Sequence, residues 1–214
     1  MATIAVIDYG MGNLHSVARA LNHVAPRAHV AVTQDPKIIL GADRVVFPGQ
    51  GAMRDCMQEL QHHELIDVVG TAARNRPFLG LCLGPQALLT RSEENGGVDG
   101  LNILPGHSLW FGHQLRSAPL EGLHLKIPHM GWNRVHQTCA HPLWESIDQD
   151  SRFYFVHSYY LLPDDADLTV GLTDYGFEFT SAMAQDNVFA VQFHPEKSAA
   201  AGLQLLANFS RWQP

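Results

Sequence analysis

The sequence has few cysteines, no cluster of basic residues and no apolar run long enough to cross a bilayer. Three cysteines in 214 residues, with no C-x-x-C pair, are too few for a disulfide framework and favour a reducing cytoplasm. A net charge of −7, with lysine and arginine scattered, argues against nucleic acid or anionic membrane as a partner. The apolar N-terminus lacks a basic leader and contains Asp8, which predicts a strand rather than a signal peptide.

Apolar residues, by contrast, make up 46% of the chain, which is enough for a sizeable core. In the first half, short apolar runs alternate with segments of helical periodicity. We predict strands at 4–10, 29–33, 43–51 and 77–82, and helices at 12–24, 52–75 and 84–91. Strands that alternate with helices are typical of an α/β fold, with a mostly parallel central sheet flanked by helices.

The second half has a different pattern, in which strand-like runs are separated by turn residues. The predicted strands are 101–106, 124–132, 152–162, 168–176, 177–185 and 188–196, and an amphipathic helix is predicted at 199–212. This pattern indicates an additional antiparallel β portion. Since the chain has no linker, repeat or low-complexity tract, it predicts a single domain over residues 1–214.

Residues 80–84 read G-L-C-L-G, between a predicted strand and a predicted helix. The spacing matches the G-x-S-x-G nucleophile elbow of α/β-hydrolases, with Cys82 in place of the serine. The flanking glycines would leave space for the turn, and the N-terminus of the helix would stabilise a thiolate. The alternative is a buried structural cysteine beside an ordinary strand–helix turn.

A thiol nucleophile needs a base, and the segment V-Q-F-H-P-E offers one at the end of a predicted strand. His194 and Glu196 are two residues apart, so in an extended chain both side chains point to the same side. Glu196 would then orient the His194 ring, as the third member of a catalytic triad does. We expect Cys82 and His194 to meet, because the carboxyl ends of parallel strands share one sheet edge. The alternative is a solvated turn.

The turn F-P-G-Q-G at 47–51 also follows a predicted strand. Gly49 and Gly51 allow backbone N–H groups to turn towards a ligand and to form an oxyanion hole. An ordinary Pro-Gly turn is the alternative.

Two other kinds of site are set aside on spacing. G-M-G-N-L-H at 10–15 fails the dinucleotide fingerprint, because His15 stands where a glycine is needed. Adjacent His62 and His63 cannot act as an i, i+4 pair of metal ligands. Four histidines between positions 124 and 141 have irregular spacing and no matching cysteines; they are His124, His129, His136 and His141. The sequence therefore predicts no metal site.

Taken together, P-G-Q-G, G-L-C-L-G-P-Q and F-H-P-E resemble, in this order and spacing, the class I (triad-type) glutamine amidotransferases. The resemblance covers essentially the whole chain and implies the three-layer fold of that family. Further segments resemble its histidine-pathway members, the glutaminase subunits of imidazole glycerol phosphate synthases. These segments are D-Y-G-M-G-N at 8–13, 92–106, P-H-M-G-W-N at 128–133 and F-V-H-S-Y-Y at 155–160.

The resemblance implies a role for each matching residue. Cys82 would attack the side-chain amide of glutamine, His194 would transfer the proton and Glu196 would orient His194. The resemblance implies that the P-G-Q-G segment at 48–51, called the gate turn below, acts as a gate. Backbone N–H groups of the gate turn and of the elbow would hold the oxyanion, at Gly49, Gln50, Gly51 and Leu83. The α-amino and α-carboxyl groups of glutamine would be held by Gln86, Glu94, Ser158 and Tyr159.

The resemblance also implies a partner, a (β/α)8-barrel cyclase subunit that forms a heterodimer with this chain and receives ammonia through a tunnel. Together they would form imidazole glycerol phosphate and AICAR in histidine biosynthesis, with no cofactor in this chain. The residues implied at the interface are Asn13, Trp132, Tyr154 and Lys197.

Three alternatives stay open. The same chemistry would serve another acceptor synthase, as in surface-sugar amidation; the chain would be a non-catalytic subunit; or the fold would carry a peptidase-type hydrolase. The intact Cys82, His194 and Glu196 argue against a non-catalytic subunit, and P-H-M-G-W-N has no use in a peptidase. Pro85 and Gln50 differ from the residues usual in the family, which bears on the gate turn.

Overall fold

The computed structural model describes residues 2–117 and 125–214. The helices are α1 (Leu14–Val24), α2 (Pro36–Gly41), α3 (Met53–His62), α4 (Ile66–Asn75), α5 (Leu83–Leu88), α6 (Phe111–Ser117) and α7 (Ala199–Arg211). The strands are β1 (Thr3–Ile7), β2 (His29–Thr33), β3 (Arg44–Gly49), β4 (Phe78–Cys82), β5 (Arg91–Ser92), β6 (Val98–Asp99), β7 (Gly106–Trp110), β8 (His129–Arg134), β9 (His136–Gln137), β10 (Arg152–His157), β11 (Tyr159–Pro163), β12 (Thr169–Asp174), β13 (Glu178–Gln185) and β14 (Val188–Val191).

Five parallel strands form one side of the large sheet, in the order β2-β1-β3-β4-β14. Strands β3, β4 and β14 are buried along their whole length, as is typical of parallel strands covered on both faces. The sheet continues antiparallel from β14 through β13 and β11 to β7, and β12 pairs with the outer side of β13. A separate antiparallel pair is formed by β8 and β10. This confirms the predicted α/β class with an antiparallel portion.

Helices cover both faces of the parallel strands, which gives three layers. Side chains alternate along β1, so that Ile4 and Val6 join one apolar cluster while Ala5 and Ile7 join the other. The first cluster includes residues of α1 and α7, and the second includes residues of α3, α4 and α5. The sheet edge where β3, β4 and β14 end lies between these helical layers and carries the residues described below.

Two predicted elements are wrong. The predicted helix 52–75 is two helices, because the chain turns at Glu64, which adopts a φ of 57°. Residues 101–105 of the predicted strand 101–106 form a loop, and Gly106 begins β7. The N–H groups of Leu101 and Ile103 donate to the carbonyls of Ala87 and Leu88. These apolar residues therefore cap the end of α5 instead of joining the sheet.

Two other predicted strands have different limits. The predicted strand 152–162 is divided at Ser158, because β10 pairs with β8 whereas β11 pairs with β7 and β13. The predicted strand 124–132 is observed only from His129 as β8, and its first residue, His124, lies outside the described residues. Over residues 2–117 and 125–214, no helix has both the length and the apolar character that a membrane crossing requires.

Candidate active site

Cys82 lies at the turn between β4 and α5, in a backbone conformation that few side-chain-bearing residues adopt. Its φ is 57° and its ψ is −91°, which is a strained conformation of the kind found at functional sites. The flanking glycines make this turn possible. A Cβ on Gly84 would lie 2.5 Å from the carbonyl oxygen of Phe47, and a Cβ on Gly80 would lie 3.3 Å from Ala190 and from the backbone of Pro85. The turn thus has the geometry of a nucleophile elbow.

The elbow is fixed from below by a buried glutamine that the sequence analysis missed. Nε2 of Gln192 donates to the carbonyl oxygen of Cys82 at 2.9 Å, and Oε1 of Gln192 accepts from Gln86 at 3.0 Å. Ser108 donates to Gln86 at 3.4 Å and extends the chain of hydrogen bonds. Gln192 is fully buried, so each of these bonds replaces a contact with water. Its position two residues before His194 was the only signal in the sequence.

His194 and Glu196 form a buried pair just beyond the end of β14. Nδ1 of His194 lies 2.9 Å from Oε1 of Glu196, and the two side chains are 6% and 1% exposed. The backbone is held as well, since the His194 N–H donates to the Tyr154 carbonyl at 2.9 Å and Ser198 donates to the His194 carbonyl at 2.6 Å. The ring therefore has one orientation, with Nε2 free of hydrogen bonds of standard geometry within the described residues.

The protonation of His194 is set by its two neighbours. Burial lowers the pKa of His194, but the interaction with the Cys82 sulfur and the hydrogen bond to Glu196 outweigh burial and raise the pKa to about 10. A protonated imidazole is therefore favoured at neutral pH. Such a ring stabilises a thiolate next to it and has a proton to give to a leaving group.

Cys82 and His194 line the same cavity, which has a volume of about 370 Å³. The sheet edge where β4 and β14 end thus brings both side chains to one cavity. The volume falls within the range of small-molecule sites. The lining residues are Gln50, Gly51, Cys82, Leu83, Gln86, Glu94, Pro128, Val156, His157, Ser158, Tyr159, His194 and Lys197.

The residues predicted to supply the oxyanion donors lie around the end of β4, and all of them except Gly49 line the cavity. Gly49 is paired in register with Cys82, and Gln50 and Gly51 line the cavity. Leu83 begins α5, so its N–H has no partner within the helix. The gate turn and the start of α5 thus meet at the end of β4.

All four residues predicted to hold glutamine line the cavity, but two of them also have partners in the protein. Oε2 of Glu94 accepts from the N–H of Met53 at 2.8 Å, which ties this carboxylate to the start of α3. The Gln86 amide is bonded to Gln192 and Ser108. Ser158 and Tyr159 enter the cavity where the chain passes from β10 to β11.

Three of the four predicted interface residues lie together near the cavity. Trp132 is 50% exposed and its ring contacts Tyr154 edge-on, at 6.2 Å between centroids. Nζ of Lys197 lies 6.0 Å from the centre of the Tyr154 ring, within cation–π range. Met130, on the same face of β8, is 61% exposed and was not predicted. Asn13 lies immediately before α1, which contacts the Pro195–Lys197 turn.

Two buried histidines support the far wall of the cavity. Nδ1 of His129 lies 2.9 Å from Nε2 of His157, whose Nδ1 lies 2.7 Å from the carbonyl of Tyr159. A carbonyl accepts only, so His157 donates to Tyr159 and His129 donates to His157. Burial lowers the pKa of His129 to about 4. For His157, burial and the nearby His129 and His194 outweigh the bond to Tyr159 and lower the pKa to about 3.

These neutral histidines should make the fold sensitive to acid. Below the ordinary histidine pKa of 6.5 the unfolded chain binds protons that the folded chain does not, so the free energy of unfolding falls as pH drops. The expected loss is about 1.4 kcal/mol for each pH unit and each histidine in this window. Urea unfolding at pH 7 and pH 5.5 measures it. His129→Asn should give a shallower dependence, whereas exposed His62→Asn should keep the wild-type slope. Equal slopes for all three proteins would contradict the assignment.

The described residues hold no group of three His, Cys, Asp or Glu side chains close enough together to bind a metal ion. Cys56, Cys82 and Cys139 are all free thiols.

Comparison with known proteins shows which family the chain belongs to. Residues 5–211 match the family model described as glutamine amidotransferase class-I. The imidazole glycerol phosphate synthase subunit HisH of Aromatoleum aromaticum is 58% identical over 214 residues, which cover 100% of both chains. The HisH subunit of Nitrosospira multiformis is also 58% identical over 214 residues, again 100% of both.

A solved structure of PurLQS from Thermotoga maritima has the same fold, with a TM-score of 0.69 at 15% identity, over 98% of this chain and 97% of that one. Since these matches span the chain almost from end to end, it belongs to the class-I glutamine amidotransferases, within the group formed by the HisH subunits of imidazole glycerol phosphate synthase.

Proposed function

We propose that the protein hydrolyses glutamine to glutamate and ammonia, with Cys82 as nucleophile, His194 as acid and base, and Glu196 as the group that orients His194. The observation that carries this proposal is the arrangement of a strained Cys82 and a Glu196-bound His194 on one cavity. Nucleophile, base and orienting carboxylate are the three parts that covalent catalysis at an amide requires.

The first half of the reaction follows from the protonation of His194. The Cys82 sulfur forms a bond to the side-chain carbonyl carbon of glutamine, and the carbonyl oxygen becomes an oxyanion. Leu83 N–H and a donor from the Gln50–Gly51 turn stabilise this oxyanion. His194 gives its Nε2 proton to the amide nitrogen, the carbon–nitrogen bond breaks, and ammonia leaves a thioester behind.

In the second half, a water molecule gives a proton to the now neutral His194 and its oxygen attacks the thioester. The carbon–sulfur bond breaks and glutamate is released, while Cys82 returns as a thiolate beside protonated His194. Glu196 keeps its bond to Nδ1 throughout, so that only Nε2 exchanges protons with the substrate.

Glutamine is selected by both ends of its backbone. The Glu94 carboxylate, already positioned by Met53 N–H, suits the α-ammonium group. Burial, together with nearby Glu94 and Glu93, raises the pKa of Tyr159, so its hydroxyl stays a neutral donor for the α-carboxylate. Ser158 and Gln86 complete the set of polar groups at this end of the cavity.

The ammonia is passed to a synthase partner, which we propose is a (β/α)8-barrel cyclase subunit of histidine biosynthesis. The relatives at 58% identity are named as subunits of imidazole glycerol phosphate synthase, which supports a partner of this kind. The exposed Trp132 and Met130 beside the cavity offer an apolar contact surface.

We propose further that residues 1–214 act as one domain, supported by a large sheet that contains strands from both halves. The free cysteines are consistent with a cytoplasmic location.

A glutaminase assay tests this function. The purified chain should hydrolyse glutamine slowly alone and at least about 10-fold faster in a complex with a barrel cyclase that holds its nucleotide substrate. The complex should also form imidazole glycerol phosphate and AICAR from that substrate and glutamine. Rapid hydrolysis by the chain alone, or no complex with the cyclase in a pull-down, would contradict the proposed coupling. A complex without any glutamate release would contradict the glutaminase activity itself.

A further inference from the structure

We propose that Tyr9 is a positioning residue for the oxyanion hole: its buried hydroxyl fixes the Pro48 carbonyl and so makes Gly49 the pivot of the gate turn. This inference rests on the proposed function, because the gate turn supplies one of the oxyanion donors. Tyr9 belongs to the D-Y-G-M-G-N segment, which no step of the mechanism uses.

The Tyr9 side chain lies directly behind the end of β3. It is fully buried, and its hydroxyl donates to the carbonyl oxygen of Pro48 at 2.9 Å. The same hydroxyl lies 3.6 Å from the Cys56 sulfur. A phenol has one proton to give, and the carbonyl takes it, so the Cys56 thiol is the donor to the tyrosine oxygen. The ring packs on Phe47 at 5.4 Å between centroids, which leaves the hydroxyl little freedom to turn away.

Pro48 and Gly49 differ in how firmly their backbone is held. Pro48 is paired with Leu81 in the sheet, its ring restricts its own φ, and its carbonyl is held by Tyr9. Gly49 carries no side chain, and none would fit: a Cβ there would lie 2.7 Å from the Tyr9 hydroxyl and 2.8 Å from Leu83. Gly49 is the last paired residue of β3, opposite Cys82, so the first peptide beyond the paired part of the strand is the one between Gly49 and Gln50.

Rotation of that peptide decides where the Gln50 N–H points. Gln50 and Gly51 line the cavity whereas Gly49 does not, so the movable N–H groups are those next to the substrate carbonyl. Gly51 has a φ of 99°, and a Cβ on it would lie 2.8 Å from Cε of Met11, another residue of the D-Y-G-M-G-N segment. The D-Y-G-M-G-N segment thus contacts both ends of the gate turn. Met11 lies beside Gly51, and Tyr9 holds the Pro48 carbonyl, next to the peptide that rotates.

Without the hydroxyl, the Pro48 carbonyl is buried without a donor and the Pro48–Gly49 peptide is free to turn as well. The oxyanion donor then has two pivots instead of one and is less often in place when charge develops on the substrate oxygen. We expect recognition of the α-amino and α-carboxyl groups to persist, because Glu94 is held by Met53 at the start of α3 and Tyr159 lies on β11, both outside the gate turn. The loss should therefore appear in kcat and not in KM.

The test compares Tyr9→Phe with wild type in the complex with the cyclase. We expect kcat for glutamine hydrolysis to fall about 10-fold, KM to stay within about 2-fold, and synthesis from added ammonia to be unchanged. Tyr175→Phe is the matched control, because Tyr175 also donates to a backbone carbonyl, that of Lys126, at 2.8 Å and outside the cavity lining. This control should keep wild-type kcat.

A second measurement separates positioning from general damage to the fold. Alkylation of Cys82 by a chloroketone analogue of glutamine needs the oxyanion donors, whereas alkylation by iodoacetamide does not. Tyr9→Phe should slow the first about 10-fold and leave the second within about 2-fold. An active wild-type complex whose Tyr9→Phe variant keeps its kcat, or loses both alkylation rates equally, would overturn the inference. A wild-type complex that releases no glutamate would instead overturn the proposed function.

Discussion

Replacing Cys82 with alanine is expected to lower glutamine-dependent synthesis by the complex at least about 10³-fold while synthesis from added ammonia continues at the wild-type rate. Without the sulfur no thioester forms, and water alone is a poor nucleophile towards an amide. Ammonia supplied from solution bypasses this step, because it enters the reaction after glutamine has been hydrolysed. The measurement is the rate of product formation with glutamine and, separately, with an ammonium salt at high pH.

The control is Cys139→Ala, which removes an exposed free thiol far along the chain from the elbow. It should leave both rates unchanged. If Cys82→Ala lowers the ammonia-dependent rate as much as the glutamine-dependent rate, the substitution acts on the fold or on the complex and the nucleophile assignment is wrong. Retained glutamine hydrolysis in Cys82→Ala would contradict the mechanism directly.

Glu196→Gln is expected to have the second largest effect, a loss of about 100-fold in kcat for glutamine hydrolysis. The amide has nearly the shape of the carboxylate but no charge, so the pKa of His194 falls from its value of about 10. The ring is then less often protonated when the amide nitrogen must leave, and its orientation is less firmly held. Exposed Glu145→Gln, which weakens an ion pair with Arg211, should leave kcat unchanged.

The same substitution predicts a change in pH dependence. In wild type the folded pKa of His194 lies above the ordinary 6.5. The stabilisation from its charged pair is therefore complete below about pH 6.5 and is lost as pH rises through about 10. In wild type, activity should fall at alkaline pH as His194 loses its proton. In Glu196→Gln the pKa of His194 is lower, so this alkaline fall in activity should begin at a lower pH. A profile whose alkaline limb is the same in both proteins would contradict the role of Glu196.

Much of the architecture could be predicted from local patterns, and the errors have a common cause. Apolar strand runs that alternate with helical periodicity predicted the parallel half correctly, because the central strands such as β3 and β4 are buried on both faces and read as continuous apolar runs. The failures at 101–106 and at Ser158 depend on distant partners. Leu101 and Ile103 bond to the end of α5, and the chain leaves one sheet for another at Ser158. No local pattern records which neighbour a strand-like segment will find.

The candidate site shows the same division. That Cys82 and His194 would share a sheet edge followed from the rule that parallel strands end together, and the structure places both on one cavity. Gln192 beneath the elbow, Tyr9 behind the gate turn and the His129–His157 pair could not be found in this way. Each contacts its partner across at least 28 residues of sequence, and each residue type has many ordinary uses in a protein core.

The small sheet of β8 and β10 has little freedom to move relative to the large sheet, because a single residue, Ser158, separates β10 from β11. Six backbone pairs join β10 to β8, including Tyr154 to Trp132, whereas β11 is anchored in the large sheet. Ser158 alone separates β10 from β11, and Val135 alone separates β8 from β9, which pairs with β12 of the large sheet. The small sheet therefore cannot tilt on the large one without twisting the torsion angles of both residues. We therefore expect a displacement of the exposed Trp132 to be passed along β10 to Val156, His157 and Ser158, which line the cavity together with Cys82.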